Sequence, residues 1–328
     1  MKVGWLFHEV FLRHDTGPSH VERPARLEAI VDILRRERVL EQLEPVRFEA
    51  ATPEQLARVH EPAYIDIARM ACEEGFSFIG SKETKISPDS YHAATLAAGA
   101  AIGACDAVLD GRVRRAFCAV RPPGHHAERD QAMGYCLFNN VAVAAEHLVQ
   151  EHGLQRIAIV DFDVHHGNGT QHAFEERRDV FYVSIHERPG SLLFPGTGEE
   201  REEGRGAGLG FNLNIPMKWG SRDEDYRQAF AEKLIPALDG YRPEFVLVSA
   251  GFDALMWDNA AHISLVPESY GWMTRELVAA AERHAGGRLV SVLEGGYELQ
   301  GLAKAVLEHI RALTEDAGEK MEDRGSRA

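Results

Sequence analysis

Short apolar segments recur along the chain and are separated by longer segments with a different period. The apolar segments are 2–7, 116–120, 157–160, 180–185, 245–250 and 289–293. Their apolar residues are nearly continuous and do not alternate with polar ones. This pattern is typical of strands that are buried on both faces of a sheet.

Three of the intervening segments have the apolar spacing of helices. They are 141–153, 223–240 and 269–287, and Gly153 stands where a helix is expected to stop. Strands that alternate with helices indicate a parallel sheet covered by helices. We therefore predict an α/β protein with three α/β/α layers and a central, mostly parallel sheet.

The composition is that of an ordinary globular protein. The chain has 328 residues, of which 45% are hydrophobic, and its net charge is −15. Collagen, intrinsic disorder and a disulfide scaffold are excluded. The length fits either two average domains or one large α/β domain. The four cysteines include no C-x-x-C pair, so we expect reduced thiols.

The termini and the charge bear on location and partners. The first apolar run is interrupted by His8 and Glu9, and no run reaches the roughly 18 apolar residues of a membrane span. We expect a cytoplasmic protein that binds no membrane. The acidic balance argues against a nucleic-acid surface. A homo-oligomer is compatible with the sequence. Residues 315–328 are polar and are expected to form a frayed tail.

Ionisable side chains follow four of the predicted strands. They are His125 and His126, then Asp161, Asp163 and His165, then Asp253, and finally Glu294 and Tyr297. In parallel α/β sheets, ligands bind beyond the carboxyl ends of the strands. The sequence therefore predicts that these four groups meet in one site.

One part of this site has the composition of a metal centre. Side chains two apart in an extended chain share a face, so Asp161, Asp163 and His165 are expected to point the same way. Asp163, His165 and Asp253 would leave a coordination position open for water. This set suits zinc, and iron(II) or manganese would also accept it. The alternative is that these residues only cap turns.

The two adjacent histidines suit proton transfer. They follow a Pro-Pro-Gly loop, and one could serve as base and then acid while the other adds positive charge. Asp161 and Asn168 are the candidate partners of their second ring nitrogens. The alternative for His125 and His126 is a solvated loop pair.

Tyr297 follows Gly295 and Gly296, where a phenol could donate to an oxyanion, although a tyrosine packed at a strand end is the ordinary alternative. A metal ion, a proton-transferring histidine and a donor tyrosine together indicate metal-assisted hydrolysis of a carbonyl compound.

Six motifs carry a family resemblance. In chain order they are VRPPGHHAE, GYCLFNN, DFDVHHGNGTQ, FPGTGE, SAGFDA and LEGGY. They resemble the zinc-dependent histone deacetylase-like amidohydrolases, a family that includes bacterial acetylpolyamine amidohydrolases. The resemblance runs from about residue 20 to residue 313. The motif sequences are more similar to the class II branch, with Asn168 where class I has an acid. It implies an arginase/deacetylase-like fold with a single catalytic domain over 1–314 and a polar tail over 315–328.

The resemblance also implies roles for individual residues. Asp163, His165 and Asp253 would hold one zinc ion. His126 would be the general base and then the acid, and His125, paired with Asp161, an electrostatic helper. Tyr297 would polarise the acyl carbonyl.

The family's substrate tunnel and its structural potassium ions have counterparts in this sequence. Tyr135 and Phe194, with Gly134 and Gly296, match the tunnel that receives the acylated amine. Tyr135, where most histone-type members have Phe, favours a polyamine hydrolase. The residues matching the first potassium site are Asp161, Asp163, His165, Ser184 and Ile185, and those matching a second site are Phe174 and Val180.

The sequence departs from the family pattern around the mouth of the tunnel. Asp258-Asn259 replaces the usual Asp-Pro, and Ala260 stands where a polyamine-selective branch has Glu. Glu83 lies near the position of an Asp that anchors substrate backbone. The extra Asp ligands of a binuclear arginase would fall at Gly167 and Leu255, so a ureohydrolase is disfavoured.

Three hypotheses for the function follow. The first is a zinc deacetylase that hydrolyses an acetyl or other short acyl amide of lysine or a related amine. The second is a hydrolase of acetylpolyamines or of longer acyl chains. The third is a non-catalytic acyl-lysine binder.

Overall fold

The computed structural model describes residues 2–190, 193–260 and 262–315. Its strands are β1 Val3–Leu6, β2 Glu44–Pro45, β3 Phe78–Ile79, β4 Ser81–Lys85, β5 Arg115–Cys118, β6 Ile157–Asp161, β7 Val180–Glu187, β8 Asn212–Met217, β9 Phe245–Ala250 and β10 Leu289–Leu293. Its α-helices are α1 Ala25–Arg36, α2 Pro53–Leu56, α3 Pro62–Glu73, α4 Ser90–Leu109, α5 Asn140–Gln150, α6 Asn168–Phe174, α7 Asp223–Ala229, α8 Ile235–Tyr241, α9 Pro267–His284 and α10 Leu299–Thr314.

Eight of the described strands form one sheet in the order β2-β1-β5-β10-β9-β6-β7-β8. Every neighbouring pair is parallel, so the predicted α/β class is confirmed and the sheet is parallel throughout. The six predicted strands are all present. The central strands β5, β10, β9 and β6 are fully buried, which agrees with their continuous apolar sequences.

Strand β8 was not predicted because its sequence alternates polar and apolar residues and contains Pro216. It lies at the edge of the sheet, where a proline is tolerated. Its buried Asn212 and Asn214 donate to Gln171 Oε1 over 3.0 and 2.8 Å. The side-chain amide nitrogens of this strand are therefore paired inside the protein, whereas the Oδ1 atoms of both asparagines are buried without a partner among the described residues.

The predicted helices are present, with one irregularity. Segment 223–240 forms α7 and α8, which are joined by a π-helical turn over Phe230–Leu234. The helix α8 ends at Tyr241, and the next residue, Arg242, has a left-handed φ of 56°. The helix α4 was not predicted. By length and composition α4 could cross a membrane, but 78% of its apolar stretch is buried in the protein. It is the core helix that packs on the sheet.

The four cysteines are free and buried, in agreement with the expectation of reduced thiols. The helix α10 ends at Thr314, and of the predicted tail only Glu315 is described. Residues 316–328 lie outside the described residues.

Candidate active site

The predicted site residues lie at the carboxyl edge of the sheet, beyond β5, β6, β9 and β10. The sequence predicts extended chain as far as His165, but the strand β6 already ends at Asp161. The alternation of side chains nevertheless continues into the loop. Phe162 and Val164 are completely buried in the apolar core, while Asp163 and His165 face the site.

Asp163, His165 and Asp253 form a compact cluster. His165 Nδ1 lies 3.1 Å from Asp163 Oδ1 and 3.1 Å from Asp253 Oδ2. One candidate ligand atom from each residue lies within 4.8 Å of the others. The backbone N–H of Gly295 donates to Asp163 Oδ2 over 2.8 Å, and that of Val164 donates to Asp253 Oδ1 over 2.9 Å. These bonds fix the orientation of both carboxylates.

Two glycines make room for this cluster. A Cβ on Gly251 would lie 2.0 Å from Asp163 Oδ2, and one on Gly295 would lie 2.3 Å from Asp253 Oδ2. Any larger residue at either position would displace a carboxylate. Gly251 of SAGFDA and Gly295 of LEGGY are therefore required, because the two carboxylates fill the space of a side chain.

The chemistry of the donor set fits a divalent cation. Burial and the neighbouring Asp163 carboxylate raise the pKa of Asp253 to about 6. Two buried carboxylates that share one imidazole carry excess negative charge, which a cation would offset. Two carboxylates and one imidazole are acceptable ligands of zinc in a catalytic site. The carboxylate that a binuclear arginase site would have at position 167 does not fit here, because a Cβ on Gly167 would lie 2.3 Å from Asp161 Oδ2.

The adjacent histidines have different partners and different charges. His125 Nδ1 lies 3.0 Å from Asp161 Oδ2, which also accepts the Tyr182 hydroxyl over 2.9 Å. Although burial opposes the charge, the Asp161 and Asp163 carboxylates raise the pKa of His125 to about 10. His125 is therefore an imidazolium at neutral pH.

An amide fixes the tautomer of His126, and burial keeps the ring neutral. Its Nδ1 lies 2.8 Å from Asn168 Oδ1, and the Asn168 amide nitrogen donates to Glu128 Oε1 over 2.5 Å. This arrangement turns the amide oxygen toward His126, so Nδ1 carries the hydrogen and Nε2 has a lone pair. Burial and the positive charge of His125 hold the pKa of His126 well below its usual value.

Tyr297 lies beyond β10 with its phenol in the site. Burial and the Asp253 carboxylate raise the pKa of Tyr297 well above its usual value, so the phenol keeps its proton. The Asp258 carboxylate Oδ2 accepts the backbone N–H groups of Tyr297 and Glu298 over 2.6 and 3.0 Å. Asp258 therefore fixes the backbone that carries the phenol.

Sequence analysis missed the residues that support this loop from below. The buried Arg26 donates to the carbonyl oxygens of Gly296 and Glu294 over 2.6 and 2.5 Å and to Glu22 Oε1 over 3.1 Å. The Glu294 carboxylate accepts the backbone N–H groups of Gly124 and His125 over 2.6 and 3.1 Å. Glu294 was noted at a strand end without a role, and no pattern singled out Arg26.

A cavity of about 780 Å³ leads to these groups. His126, His165 and Tyr297 line it together with Tyr135 and Phe194. The Tyr135 ring meets the Tyr297 ring edge to face with centroids 6.0 Å apart, and the Phe194 ring meets that of His126 at 4.8 Å.

The turn at Gly134 and Tyr135 aims the tyrosine into the cavity. Both residues have left-handed backbone conformations, with φ of 54° and 69°. A Cβ on Gly134 would lie 2.4 Å from His126 Cδ2, so a glycine is required there. Gly296 does not line the cavity; its φ is 116° and its carbonyl oxygen accepts Arg26.

The positions where the sequence departs from the family pattern contribute to the cavity. Glu83 lines it from β4, and Trp257, Asn259 and Ala260 line it from the segment that follows β9. Glu298 adds a second carboxylate beside them. Ala261 lies outside the described residues.

The residues matching the two potassium sites fall in separate places. Asp161 and Ser184 are register partners on β6 and β7, next to Ile185 and to the loop of Asp163 and His165. The Ser184 hydroxyl lies 2.7 Å from His186 Nδ1. Phe174 ends α6 and Val180 begins β7, at the opposite end of that strand.

Comparisons with known proteins agree with this geometry. A family model described as the histone deacetylase domain matches residues 20–313. A probable deacetylase of Archaeoglobus fulgidus is 40% identical over 303 residues, which are 92% of this chain and 83% of that protein. The human polyamine deacetylase HDAC10 is 40% identical over 328 residues, which cover 96% of this chain but only 48% of that protein. The crystal structure of the HDA15 HD domain matches with a TM-score of 0.89 and 36% identity, covering 95% of this chain and 90% of that one.

Proposed function

Because this chain belongs to the histone deacetylase family, we propose that it removes acetyl or other short acyl groups from lysine side chains or related amines with the help of one zinc ion. The chain is a deacetylase, and its substrates are acylated amines or polyamines. The observation that carries the proposal is the meeting of a carboxylate–imidazole cluster with a neutral histidine and a protonated tyrosine in one cavity.

Asp163, His165 and Asp253 would hold the zinc ion, with iron(II) as the alternative. When bound, the ion supplies Lewis-acid polarisation of the amide carbonyl and makes the attacking water more acidic. We propose structural potassium at Asp161, Asp163, His165, Ser184 and Ile185, with a second site at Phe174 and Val180. The cytoplasm is the proposed location.

The proton transfers belong to His126. Its Nε2 accepts a proton from the attacking water while Nδ1 stays bonded to Asn168. The same nitrogen then returns the proton to the leaving amine. His125 stays charged beside Asp161, and that charge stabilises the anionic character that develops in the site.

Tyr297 donates its O–H to the carbonyl oxygen as negative charge builds there, an interaction that strengthens in the transition state. Tyr135 and Phe194 enclose the alkyl chain of the substrate and exclude water from the reacting amide. These two aromatic walls suit a methylene chain that ends in an acylated nitrogen.

A polyamine substrate has specific support. Glu83 and Glu298 line the cavity, and a distal ammonium group would be attracted to their carboxylates. The relative named as a polyamine deacetylase points to the same substrate class. Ala260 supplies no carboxylate, so the preference over acetyl-lysine rests on these two glutamates and on Tyr135.

The test is a comparison of kcat/KM for an acetyl-lysine peptide, N-acetylputrescine and an octanoyl-lysine peptide, with zinc-loaded and iron-loaded enzyme. We expect acetate release from the first two substrates and slower turnover of the third. His126→Ala should lose about 10² to 10⁴ in rate while it keeps its metal. Binding of all three amides with no acyl release under either metal would contradict the proposal.

A further inference from the structure

A second group of histidines and a carboxylate lies between α4 and the end of α5. Asp106 Oδ1 lies 2.7 Å from His147 Nε2 and 2.9 Å from His152 Nε2. The candidate ligand atoms lie within 4.8 Å of one another, as they do in the active site. The two imidazole rings have their centroids 5.1 Å apart.

This group is separate from the active site. Asp106 is near the end of α4, shortly before β5 begins, and His152 is shortly before β6 begins. The starts of these parallel strands form the edge of the sheet opposite to the one that carries Asp163 and Tyr297. An ion bound there could not contact a substrate in the cavity.

The ligand atoms are arranged as around a metal ion, but hydrogen bonds hold them closer together than a bound ion would. Ligand atoms that bind zinc at about 2.0–2.2 Å in a tetrahedron lie about 3.3 Å apart. The two N···O distances to Asp106 Oδ1 would have to lengthen by about 0.6 and 0.4 Å to reach this spacing. In the active site, the 3.1 Å distances from His165 Nδ1 to the two carboxylates are likewise shorter than the spacing of ligand atoms around zinc. The Asp106 and His152 side chains are 36% and 31% exposed, so both can move.

The His147 ring is held by a single hydrogen bond among the described residues. Its Nδ1 is buried without a partner, so only the bond from Nε2 to Asp106 would have to open for an ion. Ligation through Nε2 places the ring hydrogen on this unpaired Nδ1, a cost that the binding of the ion must exceed. The neighbouring Glu151 is already paired with Arg58. Two imidazoles and one carboxylate are typical ligands of zinc and of related transition-metal ions.

We propose that Asp106, His147 and His152 bind a divalent transition-metal ion such as zinc, which ties the end of α5 to α4. Water fills the remaining coordination positions, because the site is partly exposed. The ion has a structural role and takes no part in deacetylation.

The test is a count of zinc ions bound by the full chain after metal removal and equilibrium dialysis against zinc. We expect two ions per chain in the unaltered protein and one in His152→Gln, whose deacetylase activity should equal that of the parent. His284→Gln is the matched control, because His284 Nε2 lies 2.7 Å from Asp239 Oδ1 with no second imidazole on that carboxylate. The control should bind two ions.

Asp253→Ala separates this site from the active site. We expect Asp253→Ala to keep one ion and the double variant Asp253→Ala/His152→Gln to bind none. Cobalt(II) added to Asp253→Ala should give a visible d–d spectrum that is absent in the double variant. One zinc ion in the unaltered protein, or an unchanged count in His152→Gln, would overturn the proposal. An unchanged count in Asp253→Ala would count against the active-site assignment alone.

Discussion

The two histidine–carboxylate clusters lie at opposite edges of one sheet and differ in charge and burial. The active-site cluster has two carboxylates to one imidazole and is almost closed to solvent. The Asp106 cluster has one carboxylate to two imidazoles and is partly exposed. Buried like charges are costly without a counterion, whereas a half-exposed ion pair is satisfied by water and its own partners. The first cluster therefore depends on a cation, and the second only gains from one.

The largest effect is expected from breaking the buried cluster. Asp253→Ala removes a proposed metal ligand and the acceptor of the Val164 N–H. We expect kcat/KM to fall by about 10³-fold or more, because the ion's contribution to the reaction is several kcal/mol. Steady-state kinetics with a count of bound metal measures this. Asp106→Asn at the other cluster should leave kcat/KM unchanged, and a similar loss there would erase the contrast between the two.

Removing the phenol tests the site without touching its ligands. Tyr297→Phe should lower kcat by about 10²- to 10³-fold, because the oxyanion loses a preorganised donor. The bound-metal count should stay that of the parent. Kinetics on an acetyl-lysine peptide decide the point, and a change confined to KM would show that Tyr297 only binds substrate.

Asp258 positions Tyr297 through the backbone. Asp258→Asn replaces the carboxylate that accepts two backbone N–H groups, so we expect kcat to fall about tenfold, in keeping with the cost of a weakened buried hydrogen bond. Asn259→Ala, on the same loop, is the control and should keep kcat near that of the parent. If the kcat of Asp258→Asn also stays near the parental value, the positioning role is wrong.

Asn168 is the hydrogen-bond partner of His126 Nδ1, and this gives a prediction on pH. The base must be neutral to act, so activity is lost as the pH falls through the pKa of His126, which burial and the neighbouring His125 charge hold low. Asn168→Asp adds a negative charge beside Nδ1 and raises that pKa. The acid limb of the kcat/KM profile should therefore move to higher pH, by about one unit. If the acid limb stays at the same pH in Asn168→Asp, a group other than His126 is responsible for it.

The smallest effect is expected at the exposed cluster. In the presence of zinc, His152→Gln should lower the midpoint of thermal unfolding by about 2 °C or more, since a ligand that binds the folded state stabilises it. Differential scanning calorimetry with zinc and with a chelator measures this. The difference between His152→Gln and the parent should vanish with the chelator. A difference that persists would mean that His152 acts without a metal.

The sequence reveals groups that follow strands more readily than groups that act through the backbone. Asp163, His165 and Asp253 were found because apolar strands precede them and parallel strands end at a common edge. Arg26 was missed, and Asp258 was named only as part of a departure from the family pattern, because their partners are backbone groups, which no side-chain pattern reveals.

The missed elements have similar physical reasons. The helix α4 is apolar on nearly all sides, so its sequence lacks the period of an amphipathic helix. In β8 the buried asparagines interrupt the apolar run, and their amide nitrogens find partners only in the tertiary structure, at Gln171 and at the carbonyl oxygen of Glu202. The tunnel and potassium residues came from family resemblance and not from any periodicity.

The bonds of Arg26 bear on how the polypeptide matures on the ribosome. Its guanidinium is buried, and its acceptors at Glu294 and Gly296 are synthesised about 270 residues later. Until the last strand emerges, a nascent chain that closed around this arginine would bury a cation with part of its hydrogen bonds unmade. We therefore expect the amino-terminal half not to fold as an independent unit, and catalytic competence to arrive only when synthesis is nearly complete.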